Sequence, residues 1–66
     1  MLEAETTIEM VERHVEVGRR IVREQSKLIH VRRREGRDVV EAEQLLGTFE
    51  DLQRLHVEHL ERLKEN

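Results

Sequence analysis

The sequence predicts an all-α fold, an antiparallel two-helix hairpin that dimerises into a four-helix bundle. Three observations predict it. Apolar residues recur at helical spacing on both sides of position 36. A single stretch, Arg34-Glu35-Gly36-Arg37-Asp38-Val39-Val40-Glu41, carries stop and start signals back to back. Finally, each apolar face is wider than one neighbouring helix can cover. Residues 1–66 therefore form one helical-hairpin domain.

Met1 to Glu5 reads as a frayed lead-in. Thr6 with Glu9 three residues on is a capping-box pattern, so helix 1 is expected over about residues 7–35, roughly 43 Å long. Advancing 100° per residue spreads Ile8, Met10, Val11, Val15, Val17, Ile21, Val22, Leu28, Ile29 and Val31 over an arc of about 220°. Gly36 suits the left-handed conformation that ends a helix, and residues 36–38 form the turn. Asp38 with Glu41 is a second capping-box pattern, which opens helix 2 over about residues 39–64. Its apolar set, Ala42, Leu45, Leu46, Phe49, Leu52, Leu55, Val57, Leu60 and Leu63, covers an arc of about 200°. A tight turn makes the helices antiparallel, and the surplus faces are most simply buried by a second copy.

Composition agrees with this expectation. Charged residues make up 41% of the chain, there is no proline or cysteine, and Phe49 is the sole aromatic, a pattern of long exposed helices. A chain of 66 residues builds only a marginal core alone, and without cysteine it has no disulfide to help. No apolar run approaches the roughly 18 residues of a membrane span, and no signal-peptide pattern is present, so the expected setting is cytoplasmic and without membrane. Charge is distributed in blocks. Residues 1–17 carry five acids and one base, residues 18–37 eight bases and two acids, and residues 38–66 eight acids and three bases.

The positions His14, Gly18, Gln25, Ile29, Gly36, Asp38, Ala42, Leu45, Leu46, Phe49, Leu52, His56, His59 and Leu63 resemble a set of small uncharacterised alphaproteobacterial helical-hairpin proteins. The resemblance spans most of the chain and implies a hairpin. It implies no activity.

Polar residues interrupt the apolar arcs. His14, Gly18, Gln25 and Arg32 hold the middle of the helix 1 arc, and His56, with His59 beside it, the middle of the helix 2 arc. Folding about the turn pairs residues whose numbers add to about 74, which levels His14 with His59 and Leu60 and sets His56 opposite Gly18. One reading of His14, His56 and His59 is a metal site; another is half-buried histidines that fix the register of the bundle; a third is a pH sensor. No Glu stands three before any histidine, so a di-iron carboxylate site is excluded.

Arg19, Arg23, Lys27, His30 and Arg34 form a basic stripe about 22 Å long on the exposed side of helix 1. Its functional reading is an anionic partner, RNA or an acidic protein; against it stands balance by neighbouring acids such as Glu16. Nucleic-acid binding lacks an aromatic stacking platform, since Phe49 belongs to the core. Catalysis has no cysteine or tyrosine, Ser26 lies on the polar arc, and no glycine-rich loop or room for a pocket is evident, so the chain is not expected to be an enzyme and no cofactor is implied. The expected function is a small self-associating interaction or regulatory module. The alternatives are a nucleic-acid-binding hairpin dimer and a histidine-based metal or pH sensor.

Overall fold

The computed structural model describes residues 5–65 as two helices, α1 (Thr7–Arg34) and α2 (Val40–Glu65), folded back on one another as an antiparallel hairpin. Residues 1–4 of the expected lead-in, and Asn66, lie outside the described residues. Both helices fall within one residue of the expected boundaries. The body is a single layer, with Cα extents of 50 × 28 × 13 Å.

The caps explain where the helices begin and end. Thr6 has extended backbone, and its Oγ1 accepts a 3.1 Å hydrogen bond from the Glu9 N–H while donating to Glu9 Oε1 at 3.0 Å. At the other end the Arg37 N–H reaches back to the Arg32 carbonyl at 2.9 Å and the Gly36 N–H to the Arg33 carbonyl at 3.1 Å. These two bonds form a Schellman motif, which requires a left-handed residue, and Gly36 supplies it at φ 72°. The second capping box forms differently from the expectation. Val39 takes the cap position, its carbonyl accepting from the Glu43 N–H at 2.8 Å. Asp38 stands one residue earlier and accepts from the Val40 N–H at 2.9 Å. Arg32, Arg33 and Arg34 occupy the last turn of α1 and Glu41 and Glu43 the first turn of α2, each favoured by the helix dipole.

The helices meet along two seams with coiled-coil spacing. On α1 the residues turned inward are Val11, Val15, Gly18, Val22, Gln25, Ile29 and Arg32, and on α2 they are Val39, Ala42, Leu46, Phe49, Gln53, His56, Leu60 and Leu63; all are buried or half-buried. Steps alternate between three and four throughout, the mark of two helices packed at a shallow angle. Few of these side chains leave water completely. Val11, Val15, Ile29 and Ala42 form the buried core, and no described side chain is fully enclosed.

Two glutamines tie the seam together. Gln25 Nε2 donates to the Ala42 carbonyl at 3.1 Å, and Gln53 Nε2 returns the favour to the Val15 carbonyl at 2.8 Å. Each puts a polar side chain in a narrow interior at the cost of one hydrogen bond partner on the opposite backbone, which is how such groups are tolerated there. Gly18 makes room for this arrangement. A Cβ at position 18 would overlap Gln53 Oε1, so the glycine permits a close approach by the Gln53 amide, where the sequence set His56 opposite it. The expected pairing is therefore corrected by about one helical turn.

Candidate functional site

Beside its inward seam, α1 carries a second one, displaced by a single residue: Met10, His14, Val17, Ile21, Glu24, Leu28 and Val31, again spaced four and three. All of these residues are exposed. On α2 the corresponding outer seam holds Leu45, Thr48, Leu52, Leu55 and His59. The exposure is substantial, 39% at Leu28, 48% at Leu52 and 56% at Leu55. This is the surplus that the wide apolar arcs foretold.

Both outer seams open on the same side of the hairpin. A groove of about 480 Å³ runs between them, lined by Arg13, His14, Val17, Gly18, Ile21, Phe49, Leu52, Gln53 and His56. The opposite side is polar, where Ser26, Ile29, His30, Arg33, Glu43 and Leu46 line a second depression and Arg33 bridges to Glu43 at 3.1 Å. The hairpin is thus a thin slab with one apolar and one polar face. Isolated exposed leucines are ordinary, whereas apolar residues gathered on one face and rimmed by charge mark an interaction surface; here Glu24 and Thr48 are the polar breaks in it.

The edges of the apolar face differ in sign. Outside the α1 seam stand Arg13, Arg20, Lys27 and Arg34, seven residues apart; outside the α2 seam stand Gln44, Asp51, Glu58 and Glu65 at the same interval. In coiled coils these flanking positions choose partner and orientation. Arg13 is already engaged, its guanidinium donating to Glu5 Oε1 and Oε2 at 3.0 and 2.7 Å.

Of the three histidines read as a possible metal set, the structure brings two together. The rings of His14 and His56 lie with centroids 5.6 Å apart and planes tilted by 43°, at the wall of the apolar groove. His59 is exposed, and His14 meets His56 in its place. Among the described residues no group of three or more His, Cys, Asp or Glu is placed to hold a metal ion. Gln53 lines the same groove, and its Oε1 is buried without a hydrogen-bond partner.

The basic stripe of Arg19, Arg23, Lys27, His30 and Arg34 is exposed along its whole length. Arg19 pairs with Glu16 at 3.3 Å. Among the described residues no acid pairs with Arg23, Lys27 or Arg34, so internal balance reaches only the first member of the stripe. No helix among the described residues is long and apolar enough to cross a membrane.

No family model, curated protein or solved structure matches the chain. Its function is therefore read from this geometry alone.

The groove and the charged edges escaped the sequence reading, which measured the width of each arc without splitting it into two seams. The signal was present in the alternating three- and four-residue steps of Met10, His14, Val17 and Ile21 beside those of Val11, Val15, Gly18 and Val22.

Proposed function

We propose that the chain is a self-association module in which two hairpins close their apolar faces on each other as a four-helix bundle. The observation that carries this reading is the exposed apolar face, with Val17, Ile21, Leu28, Leu45, Leu52 and Leu55 on it and polar breaks at Glu24 and Thr48. Among the described residues no side chain is sealed fully from water, so covering that face gains most, at about 25 cal/mol per Å² of apolar surface removed.

A second copy is favoured over an unrelated helix by the charges at the edges. When the two-fold axis runs along the helices, with both turns at the same end, α1 of one copy lies against α2 of the other. The hairpin's own register then carries over to the partner. Gly18 is level with Gln53, so Arg20 comes level with the partner's Asp51 and Arg13 with the partner's Glu58. The alternative dimer, with the turns at opposite ends, would set the basic edges of α1 against each other and is disfavoured by repulsion.

Sedimentation equilibrium over a range of concentrations tests the proposal. The wild-type chain is expected to be a dimer, Ile21→Glu and Leu52→Glu monomers. Arg20→Glu weakens the dimer by about 0.2–1 kcal/mol per pair. Adding Asp51→Arg to the same chain restores it, because Arg20 and Asp51 stand on opposite edges of one hairpin and meet only across the interface. A folded wild-type monomer at every concentration would overturn the reading.

A second reading is favoured by one observation, the unpaired exposed cations Arg23 and Lys27 on the stripe. Arg23 faces away from the apolar seam and would stay open in the dimer, available to an anionic polymer such as RNA. Binding whose affinity falls steeply with salt, and falls uniformly in Arg23→Ala, supports this reading; indifference to salt removes it.

A further inference from the structure

The His14 and His56 pair offers more than register. Neither ring makes a hydrogen bond to any described residue, although His56 is half-buried and both line an apolar groove. Within the hairpin both imidazoles are thus uncommitted apart from their contact with each other. Their separation is also informative. With each nitrogen at 2.0–2.1 Å from a tetrahedral ion, two coordinating imidazoles hold their ring centroids about 5 Å apart. The observed centroids are 5.6 Å apart, near that spacing.

Two imidazoles complete only half of a closed tetrahedral shell, and one chain supplies no third ligand among the described residues. The second copy supplies the rest. In the dimer proposed above, on which this inference rests, the two-fold axis runs along the helices and keeps both copies at the same level. The His14 and His56 pairs of the two hairpins then share one layer about the axis. In the opposite arrangement, with turns at opposite ends, the pairs would be separated along the bundle.

We propose that the dimer binds one divalent transition-metal ion of the zinc class through His14 and His56 of both copies. The donor set decides the class of ion. Among the described residues no carboxylate lines the groove, so the donors there do not suit calcium or magnesium, whereas an all-imidazole set suits zinc, copper or nickel. Arg13, a cation that lines the groove, has its guanidinium engaged by two hydrogen bonds to Glu5. Gln53, whose side chain lies over Gly18, lines the same groove and adds no charge to it.

Calorimetric titration of the full chain with Zn²⁺, joined to sedimentation and to Co²⁺ absorption spectra, tests this. The expected result is one ion per two chains, a tetrahedral Co²⁺ spectrum, and loss of both in His14→Gln and in His56→Gln. His30→Gln, on the polar side, should bind as the wild type does. A dimer that binds no Zn²⁺ overturns the metal site and leaves self-association intact. A chain that is monomeric with and without Zn²⁺ overturns self-association itself. One ion per chain, retained in monomeric Leu52→Glu, overturns the shared site, as does binding that survives both histidine variants.

Discussion

Replacing Gly18 by alanine sets two effects of similar size against each other. Alanine in a helix interior is favoured over glycine by roughly 1 kcal/mol. The new Cβ, however, falls 2.9 Å from Gln53 Cδ and onto Oε1, so the amide must swing out and release the 2.8 Å bond to the Val15 carbonyl. A net hydrogen bond contributes about 0.5–1.5 kcal/mol. The two terms cancel to within about 0.5 kcal/mol, and Gly18→Ala should be nearly neutral. In a Gln53→Ala background nothing opposes the methyl group, and the same substitution should stabilise by about 1 kcal/mol, raising the melting temperature by about 4–8 °C. The coupling of about 1 kcal/mol in this double-mutant cycle measures the contact. Urea titration followed by far-UV circular dichroism suits a chain with no Trp or Tyr, at one fixed protein concentration because association contributes to apparent stability. If Gly18→Ala stabilised equally in both backgrounds, the Gln53 side chain would not occupy the space beside Gly18.

The other two glycines should part company in the same assay. Gly47 sits within α2 with nothing within 4 Å of an added Cβ, so Gly47→Ala should stabilise by about 1 kcal/mol. Gly36 is equally unobstructed but lies at φ 72°, and Gly36→Ala should cost about 1–2 kcal/mol; a neutral result would mean that the turn is made some other way. At the start of α1, Thr6→Ala removes the acceptor for the Glu9 N–H and should cost about 1 kcal/mol, with Thr6→Asp retaining most of the stability.

Much of this fold could be read from local chemistry. Thr6 and Gly36 act on their immediate neighbours, and their signatures survive without knowledge of the partner helix, so the boundaries fell within a residue. Asp38 shows the limit of such reading, since an acid near a helix start can serve the cap from either of two adjacent positions. Register was harder. A Schellman turn sets the direction of the returning helix, but the level at which side chains meet depends on which ones interlock. Here the Gln53 amide takes the space over Gly18 and Gln25 reaches the Ala42 carbonyl, long-range bonds that no periodicity announces. A shift of one turn moved His14 from His59 to His56. The width of the apolar arcs was legible, whereas the gathering of the surplus on one face needed the placement of α2.

The two seams on α1 are offset by one residue, and that offset makes the helix a ledger of separate constraints. A substitution at Val15 or Ile29 is felt inside the hairpin, one at Val17 or Leu28 on its open face, although the paired positions differ by two residues or one. Mutational scanning of this chain would therefore show two interleaved periodicities along α1, one read out by helicity and the other by whatever the open face does. Their neighbours on the polar side, Arg23 and His30, should tolerate change in both readouts and mark the spaces between the lines.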